Sequence, residues 1–285
     1  MSRIAYVNGR YLDMREASVN IEDRGYQFAD GVYEVCEVRD GKLIDMPRHL
    51  ARLQRSLGEL RIREPMPLSA LSVVMHEVVR RNRVNHGIVY LQVSRGVARR
   101  DHGFPAASVK PAVVVTARSI DPAKGQANAA RGIKVITLPE NRWPRVDIKS
   151  TALLPNVLAK QAAREAGAYE AWYVDGDGFV TEGASSNAWI VTKEGRVVTR
   201  SADSGILAGI TRAVLIDALE ALQVRLEERP FTPAEAAAAA EAFVTASSQI
   251  VMPVVAIDGQ PIGDGNPGAL AKRLREQFHR FAVFS

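Results

Sequence analysis

Apolar and polar residues alternate along residues 87–94. Val89, Leu91 and Val93 fall on one face of this segment, and a tyrosine, a glutamine and a serine fall on the other. A period of two residues is typical of a β-strand with one buried face. The apolar run at residues 111–117 predicts a neighbouring strand. This part of the chain therefore contains a half-buried sheet.

Two segments before this strand repeat their apolar residues every three or four positions, which is the period of an amphipathic helix. The segments cover residues 47–60 and 69–82. Their apolar positions are Leu50, Leu53 and Leu57 in the first segment and Leu71, Val74, Val78 and Val79 in the second. Helices that intervene between strands indicate an N-terminal α+β domain, which we place at residues 1–118.

This periodicity is lost at residues 119–129, where proline, glycine, asparagine and glutamine occur together. Such a composition is typical of a linker between domains. The predicted C-terminal domain then covers residues 130–285. Within it, short apolar runs at residues 171–199, interrupted by a turn at residues 175–178, predict an antiparallel meander. This pattern excludes a simple doubly wound sheet.

One helix of the C-terminal domain has a well-defined start. Apolar residues at positions 210, 214, 215, 218, 219 and 222 form a single stripe, so that Ile210 and Thr211 lie in the first turn. The N–H groups of a first turn have no partner within the helix, and the helix dipole favours an anion there. Because the sequence has no Gly-rich phosphate-binding loop of the Walker type, this helix start is the predicted phosphate site.

Length and composition limit the classes of protein that remain. A chain of 285 residues is long enough for two domains. The formal charge of +5 comes from arginines scattered over the sequence, which argues against a nucleic-acid partner. No apolar run reaches the roughly 20 residues of a membrane span, and the single cysteine, Cys36, excludes an internal disulfide. We predict a cytoplasmic protein without a membrane partner or a metal centre.

Two residues indicate the chemistry. Lys149 lies in the string RVDIKSTALL at residues 145–154, and Glu182 lies in VTEGASSN at residues 180–187. A lysine amine can form a Schiff base with the aldehyde of pyridoxal phosphate, and a carboxylate can hold its pyridine nitrogen protonated. A solvated lysine and a glutamate at a hairpin end are the alternatives for each residue taken singly. Lys149 lies between a predicted strand at residues 133–138 and a predicted helix that begins near Leu154, and such a junction lets the lysine emerge into a cleft, which favours an enzyme.

Four ordered strings resemble the class IV, fold type IV aminotransferases and, within that class, the D-amino-acid aminotransferases. The strings are EDRGYQFADGVYE at 22–34, DIKS at 147–150, TEGASSN at 181–187 and GITR at 209–212. The similarity extends from Val7 to Gly259 and so covers most of the chain. It implies a two-domain α+β fold, with a smaller N-terminal α+β domain and a larger C-terminal domain that contains an antiparallel, barrel-like sheet and helices. It also implies pyridoxal 5'-phosphate in the interdomain cleft and a homodimer.

The resemblance also implies roles toward the cofactor. Lys149 forms the covalent linkage, and Glu182 is the partner of the pyridine nitrogen. The resemblance adds a cation and a hydroxyl for the phosphate, an apolar side chain against the ring, and two serines that tune the surroundings. These are, in that order, Arg52, Ser247, Leu207, Ser185 and Ser186, and Ile210 and Thr211 complete the predicted cofactor site.

Arg100 and His102 stand two positions apart on the loop that follows the strand at residues 87–94. A guanidinium and an imidazole at this spacing can form a fork for a planar carboxylate. The resemblance implies that they form a trap for the substrate carboxylate together with Tyr33, and that the arginine and the histidine reach in from the neighbouring subunit. A solvated loop histidine is the alternative. We predict that the substrates are small molecules, namely an amino acid and a 2-oxo acid.

The chain departs from the family's pattern at the edge of this trap. Arg99 and Asp101 flank the two trap residues and add a second cation and an anion beside the carboxylate fork. Glu37 stands near the expected entrance, where a homologue has a basic residue. This acidic residue weakens the expectation of acidic substrates.

The expected reaction is ping-pong transamination between a D-amino acid, such as D-alanine, and a 2-oxo acid, such as 2-oxoglutarate. Lys149 then has a second role as the base that moves a proton between the substrate Cα and C4′ of the cofactor. Three activities of the same fold remain as alternatives: a branched-chain L-amino-acid aminotransferase, an (R)-amine aminotransferase and an aminodeoxychorismate lyase. A non-catalytic module that binds a cofactor or nucleic acid is a further alternative. The pair Arg100 and His102 favours the D-amino-acid enzyme.

Overall fold

The computed structural model describes residues 3–202 and 205–285. Contacts divide the chain into two compact units. The first unit comprises the chain up to Asp121, together with Ile148–Ala152 and Val283–Ser285. The second unit comprises Pro122–Asp147 and Leu153–Ala282. The division therefore does not follow sequence order alone, because a short piece around Lys149 belongs to the first unit.

A six-stranded antiparallel sheet forms the framework of the first unit. Its strands are β1 (Ile4–Val7), β2 (Arg10–Asp13), β3 (Gly31–Arg39), β4 (Lys42–Leu43), β5 (His86–Ser94) and β6 (Ala112–Ser119). Their order is β2-β1-β6-β5-β3-β4, and β3 pairs with β5 along its full length. Val89, Leu91 and Val93 on β5 are fully buried. The alternation in the sequence predicted this buried face correctly.

Three helices accompany the sheet, namely α1 (Arg24–Phe28), α2 (Met46–Glu59) and α3 (Leu68–Arg81). The bounds of α2 and α3 lie within one residue of those predicted. Their apolar stripes enter the core, because Leu53, Leu57 and Leu71 are at most 1% exposed. Cys36 on β3 lies in the same core, where burial raises the pKa of its thiol well above the ordinary value. This cysteine is therefore a packing residue.

The segment Ile148–Ala152 lies alongside β3. Val32 and Ser150 form an antiparallel bridge, and the backbone N–H of Tyr33 donates to the carbonyl of Lys149 at 3.0 Å. The order of the sequence predicts that Lys149 belongs to the C-terminal domain at residues 130–285. The backbone hydrogen bonds place it with the first unit instead, because pairing with a distant strand leaves no local signal in the sequence.

A nine-stranded mixed sheet forms the framework of the second unit. Its strands are β7 (Ile133–Pro139), β8 (Glu170–Val174), β9 (Val180–Gly183), β10 (Asn187–Val191), β11 (Val197–Thr199), β12 (Leu226–Glu228), β13 (Glu241–Ala246), β14 (Ile250–Ile257) and β15 (Gln260–Pro261). The order is β12-β11-β10-β13-β14-β7-β8-β9, with β15 added to β14. The predicted α+β class is confirmed.

The predicted meander is present but interrupted. β8 pairs with β9 and β10 with β11 in antiparallel fashion, as expected. However, β9 is at one edge of the sheet, whereas β10 pairs with β11 and β13. In addition, β7 is parallel to both β8 and β14. The sequence showed each strand by its apolar run, but pairing partners depend on connections that are not local.

The helices of the second unit are α4 (Pro122–Arg131), α5 (Leu154–Glu165), α6 (Ile210–Ala221), α7 (Pro233–Ala238) and α8 (Ala269–Gln277), followed by a 3₁₀ turn at Phe278–Arg280. Two aromatic pairs fill its core. Trp189 stacks on Phe243 with centroids 5.6 Å apart, and Trp172 meets Phe231 edge-on at 6.1 Å. Among the described residues, none of the helices has the length and apolar character that crossing a bilayer requires.

The predicted linker at residues 119–129 is mostly helical, which differs from the sequence interpretation. Helix α4 begins at Pro122 and ends at Arg131. Proline is well accepted in the first turn of a helix, and the alanines that follow favour helix formation. Only Ala129 of this helix is buried. The apolar stripe was therefore too short to be recognised by its period.

Candidate active site

Lys149 lies beside a pair of tyrosines in the first unit. Its Nζ is 4.3 Å from the centroid of the Tyr33 ring, and Tyr33 stacks on Tyr90 at 5.6 Å. The tyrosines stand on the face of β3 and β5 opposite the core, because successive side chains of a strand point to opposite faces. Burial, with a smaller effect of Tyr33, raises the pKa of Tyr90 to about 12. The structure thus brings the predicted residues Lys149 and Tyr33 together.

Arg52, the predicted phosphate-binding cation, is held by a buried carboxylate. Its Nε donates to Glu34 Oε1 at 2.8 Å and its Nη2 donates to Oε2 at 2.7 Å, while His49 Nδ1 lies 2.7 Å from the same Oε2. We call these three residues the Glu34 cluster. Burial tends to raise the pKa of Glu34, but Arg52 and then His49 outweigh it and lower this pKa to about 2. Arg52 is therefore a charged side chain with a fixed orientation.

The sequence interpretation missed Glu34 and His49, although one signal was present. Glu34 stands between Val32 and Cys36 on the buried face of β3, and all three side chains are at most 1% exposed. A carboxylate on such a face needs a charged partner, because an unpaired charge in the core is costly. The partner could not be identified, since Arg52 lies on a different element.

Arg100 and His102 lie on the exposed loop that follows β5, and both contact Phe28. The Arg100 guanidinium is 4.7 Å from the Phe28 centroid, and the His102 ring is 5.5 Å from it. Arg24 lies 4.9 Å from the same ring, and its Nη1 donates to the carbonyl oxygen of Asp101 at 2.6 Å. The structure therefore brings the predicted arginine and histidine together on one aromatic ring. We call residues 99–104 the trap loop.

The trap loop rests on two arginines that share one carboxylate. Asp30 Oδ2 accepts from Nε of Arg24 and from Nε of Arg95, both at 2.7 Å, and Asp30 Oδ1 accepts from Arg95 Nη2 at 2.9 Å. We call these residues the Asp30 cluster. Burial raises the pKa of Asp30, but the hydrogen bonds from Arg95 and Arg24 outweigh this and lower it. Arg95 also lies 3.8 Å from the Phe104 ring. The cluster thus contacts the trap loop at Asp101, His102 and Phe104, and the sequence interpretation missed it.

Glu182 is a buried carboxylate of the second unit, on β9. Its Oε1 accepts from Arg142 Nη1 at 2.5 Å, and its Oε2 accepts from Asn187 Nδ2 and from the backbone N–H of Leu207, both at 3.1 Å. Hydrogen bonds from a guanidinium to a carboxylate favour the ionised form. Asn187 also donates to the carbonyl oxygen of Leu207 at 3.0 Å. The predicted residues Glu182 and Leu207 are therefore joined in one network.

Helix α6 begins at Ile210, as predicted, with Thr211 buried beside it. Its N-cap, Gly209, provides no side-chain hydrogen bond to the first turn. Glycine is required at this position because a Cβ would lie 2.1 Å from Asn187 Oδ1. The N–H groups in the first turn of α6 are therefore not capped by a side chain, and such a helix start can bind an anion.

The predicted serines have different surroundings. Ser185 and Ser186 donate to Oε2 of Glu170 at 2.8 and 3.1 Å. Glu170 is fully buried on β8, and the sequence interpretation did not anticipate it. Ser247 lies in the turn between β13 and β14 and is half-buried. Among the predicted residues of the second unit, Glu182 and Leu207 are thus in direct contact, whereas Ser185 is directed to a different carboxylate.

Comparisons with known proteins agree with this chemistry. The family described as Amino-transferase class IV matches residues 31–257. Relatives include a D-alanine aminotransferase of Bacillus licheniformis, 41% identical with 94% of this chain and 93% of the relative covered, and one of Staphylococcus haemolyticus, 39% identical with 97% and 96% covered. A solved branched-chain amino acid aminotransferase of T.th., with pyridoxamine 5'-phosphate, is 26% identical, covers 98% of this chain and 94% of that chain, and has a TM-score of 0.90.

The chain therefore belongs to the class IV aminotransferases. It is a transaminase, and its cofactor is pyridoxal 5'-phosphate. This cofactor has three groups that need partners, namely an aldehyde, a ring nitrogen and a phosphate. The residues present fit these needs, since the chain has the Lys149 amine beside a tyrosine, the buried Glu182 carboxylate, and the start of α6.

Proposed function

We propose that this enzyme transfers the amino group of a D-amino acid, such as D-alanine, to a 2-oxo acid, such as 2-oxoglutarate. The observation that carries the proposal is the pairing of Arg100 and His102 on Phe28, because it supplies two cationic or hydrogen-bonding groups for one carboxylate. The relatives named D-alanine aminotransferase, at 39% and 41% identity, support the same conclusion.

Lys149 has two roles in this proposal. Pyridoxal phosphate, when bound, withdraws electrons from the substrate Cα and takes up the amino group. The Lys149 amine holds the cofactor covalently and, once released by the substrate amine, moves a proton between Cα and C4′. The Tyr33 ring beside Nζ supports this, since a cation–π contact limits where the amine can move.

The other proposed cofactor contacts are noncovalent. Glu182 keeps the ring nitrogen protonated, and Leu207 packs against the ring. The start of α6 binds the phosphate through the N–H groups of Ile210 and Thr211, because an uncapped first turn attracts an anion. The phosphate site is completed by the guanidinium of Arg52 and the hydroxyl of Ser247, and Ser185 lies in the cofactor's surroundings.

The carboxylate trap determines which enantiomer of the amino acid reacts. Arg100 and His102, together with Tyr33, bind the substrate carboxylate in this proposal. A carboxylate fixed on one side of the cofactor leaves a single Cα–H within reach of Lys149, and this alignment differs for the two enantiomers. The charge of the Asp30 cluster supports the assignment, because its two arginines exceed its one carboxylate by one positive charge.

We also propose that the enzyme acts as a cytoplasmic homodimer. The exposed position of the trap loop supports this, since Arg100 and His102 can serve the site of a second subunit only if they lie at the surface. The measurement is sedimentation at the concentration used for catalysis, and a dimer is expected. A fully active monomer would contradict the proposal.

The test of substrate class compares half-reactions of D-alanine, L-alanine and (R)-1-phenylethylamine in the wild type, Arg100→Ala and Arg99→Ala. Arg99→Ala removes the same charge one position away and is the matched control. Loss of a charge-assisted contact to the carboxylate should lower kcat/KM for D-alanine about ten- to a hundredfold in Arg100→Ala. The amine, which has no carboxylate, should be affected far less.

Two outcomes would overturn this function. A wild type that prefers L-alanine would favour the branched-chain L-amino-acid activity, because the solved branched-chain aminotransferase has the same fold. An Arg100→Ala variant that loses amine and D-alanine turnover equally would show that Arg100 does not bind the carboxylate. The (R)-amine activity would then be tested next.

A further inference from the structure

Arg142 binds two carboxylates at once in the second unit. Its Nη1 donates to Glu182 Oε1 at 2.5 Å, while its Nε and Nη2 donate to the two oxygens of Glu140 at 2.9 and 2.6 Å. We call Glu140, Arg142 and Glu182 the Arg142 triad. The hydrophobic pattern of the sequence did not indicate the triad, because Glu140 and Arg142 lie on an irregular segment after β7 and Arg142 contacts Glu182, which is distant in the sequence.

The triad is largely removed from water. The side chains of Arg142, Glu182 and Glu140 are 7%, 6% and 20% exposed. The Tyr173 ring lies 4.4 Å from the Arg142 guanidinium, and Thr181 Oγ1 donates to Glu140 Oε2 at 2.9 Å. Burial tends to lower the pKa of Arg142, but Glu140 and Glu182 outweigh it, so the guanidinium stays charged. Charges in such surroundings interact more strongly than they do in water.

The triad has a net charge of −1, since one guanidinium meets two carboxylates. An arginine paired with Glu182 alone would cancel its charge and weaken its attraction for a protonated ring nitrogen. Glu140 prevents this cancellation, because it binds the same guanidinium through both oxygens. Arg142 in turn fixes the orientation of Glu182.

We propose that Glu140 is a positioning residue that acts through Arg142, so that Glu182 retains the negative charge that holds the cofactor's ring nitrogen protonated. This inference rests on the proposed role of Glu182. The purely structural alternative is that the Glu140–Arg142 pair only fastens the segment after β7. The two differ in one respect: a fastening pair would not change the protonation of the ring nitrogen.

The experiment reconstitutes the full-length enzyme with pyridoxal phosphate labelled with ¹⁵N in the ring and follows the ¹⁵N chemical shift with pH. The variants are Glu140→Gln, Glu182→Gln and the double variant Glu140→Gln/Arg142→Gln. The matched control is Glu235→Gln, which removes a carboxylate that binds Arg229 through both oxygens at 3.1 and 2.6 Å but is 35% exposed. Two further titratable groups on β8 are present in every variant: Tyr173, whose ring contacts Arg142, and Glu170, which acts on the pKa of Tyr173.

Glu140→Gln brings the charge of the triad from −1 to zero, so the nitrogen should lose its proton about one to two pH units below the wild type. Glu182→Gln should lower this value at least as far. The double variant removes one negative and one positive charge, which restores −1 from Glu182 alone. We therefore expect its titration to return toward that of the wild type, although two more hydrogen bonds are lost. Glu235→Gln should match the wild type.

Turnover provides a second measurement. Glu140→Gln should lower kcat about tenfold with little change in KM for either substrate, because Glu140 acts in this proposal through Arg142 and Glu182 on the ring nitrogen and not on the substrate. A normal ¹⁵N titration of Glu140→Gln beside a shifted one of Glu182→Gln would overturn the inference and leave the role of Glu182 intact. A shifted titration of Glu140→Gln that does not recover in the double variant would show that the shift does not arise from the charge of Arg142, and would also overturn the inference. An unchanged titration of Glu182→Gln would instead overturn the role of Glu182, and the inference with it.

Discussion

Two buried arginines, one in each unit, are paired in different ways. The Glu34 cluster consists of one carboxylate, Arg52 and a histidine whose pKa is lowered by burial, so that the charges of these three residues cancel at pH 7. In the Arg142 triad, the guanidinium meets two carboxylates, and the net charge is −1. Both arginines are less than 10% exposed. The number of carboxylates, and not the depth of burial, therefore decides the charge that each group presents.

The Asp30 cluster extends the comparison. There two arginines share one carboxylate, which leaves a net charge of +1 beside the trap loop. The three clusters thus carry charges of zero, −1 and +1. The negative one contains the proposed partner of a ring nitrogen, and the positive one supports the proposed carboxylate trap. The neutral one holds Arg52 in place.

The largest effect is expected at Lys149, the residue of the first unit that forms the covalent linkage, whereas Glu182 of the second unit contributes an electrostatic interaction. Lys149→Ala should abolish covalent attachment of the cofactor and nearly all turnover, because the same amine is the linkage and the base. Borohydride reduction of the wild type followed by peptide mapping should find the pyridoxyl group on Lys149. Lys160, whose Nζ is engaged with the Tyr169 carbonyl at 2.7 Å, is the control position. An adduct on Lys160 would contradict the assignment.

The next largest effect is expected on the stability of the protein when the Glu34 cluster is changed. Glu34→Gln removes the buried carboxylate that binds the Arg52 guanidinium through both oxygens, which should cost about 3 to 5 kcal/mol in the free energy of unfolding. Because the pKa of Glu34 is lowered from 4.5 to about 2 in the folded protein, its contribution is complete above pH 4.5. It should be lost as the pH falls through about 2. Urea unfolding as a function of pH measures both.

Glu77 provides a matched control for this prediction. Arg80 and Arg81 also lower the pKa of Glu77 to about 2, yet the three side chains are in contact with water on α3. Glu77→Gln should leave the unfolding curve unchanged, because solvent screens exposed pairs. Equal losses in Glu34→Gln and Glu77→Gln would show that burial does not distinguish the two carboxylates.

A smaller effect is expected at the negative cluster. Glu182→Gln should retain the cofactor and lower the half-reaction rate about a hundredfold, because an amide cannot hold the proton of the ring nitrogen as a carboxylate does. Absorbance of the bound cofactor and stopped-flow half-reactions measure the two properties separately. Unchanged rates with a normal spectrum would refute the role of Glu182.

The smallest effect is expected at the Asp30 cluster, whose net charge is positive. Arg24→Met should loosen the trap loop, since it removes the hydrogen bond to the Asp101 carbonyl and one cation of the cluster. We expect KM for D-alanine to rise about tenfold, with turnover of an amine without a carboxylate unchanged. Arg15→Met, which removes an exposed ion pair with Asp13, is the control. A loss that is equal for both substrates would indicate a general folding defect.

Part of the site was accessible from the sequence. Lys149 and Glu182 were found through ordered strings, and Arg100 and His102 through their spacing on a loop; such patterns report the identity of residues and not their surroundings. The contact between Lys149 and Tyr33 confirms that two of the predicted residues are neighbours. The roles of these residues remain predictions. The residues that hold them in place could not be predicted, because they belong to elements distant in the sequence; Arg142 binds Glu182, and Arg24 binds the backbone of the trap loop.

The sequence by itself determined the elements whose period reports local burial: β5 by its alternation, α2 and α3 by their apolar stripes, and the start of α6. Tertiary structure alone decided that residues 148–152 pair with β3 and that a supposed linker forms α4. It also decided which carboxylates share an arginine. A hydrophobic period is written into neighbouring residues, whereas a charge pair depends on proximity across the fold, and its energy depends on the water that the fold excludes.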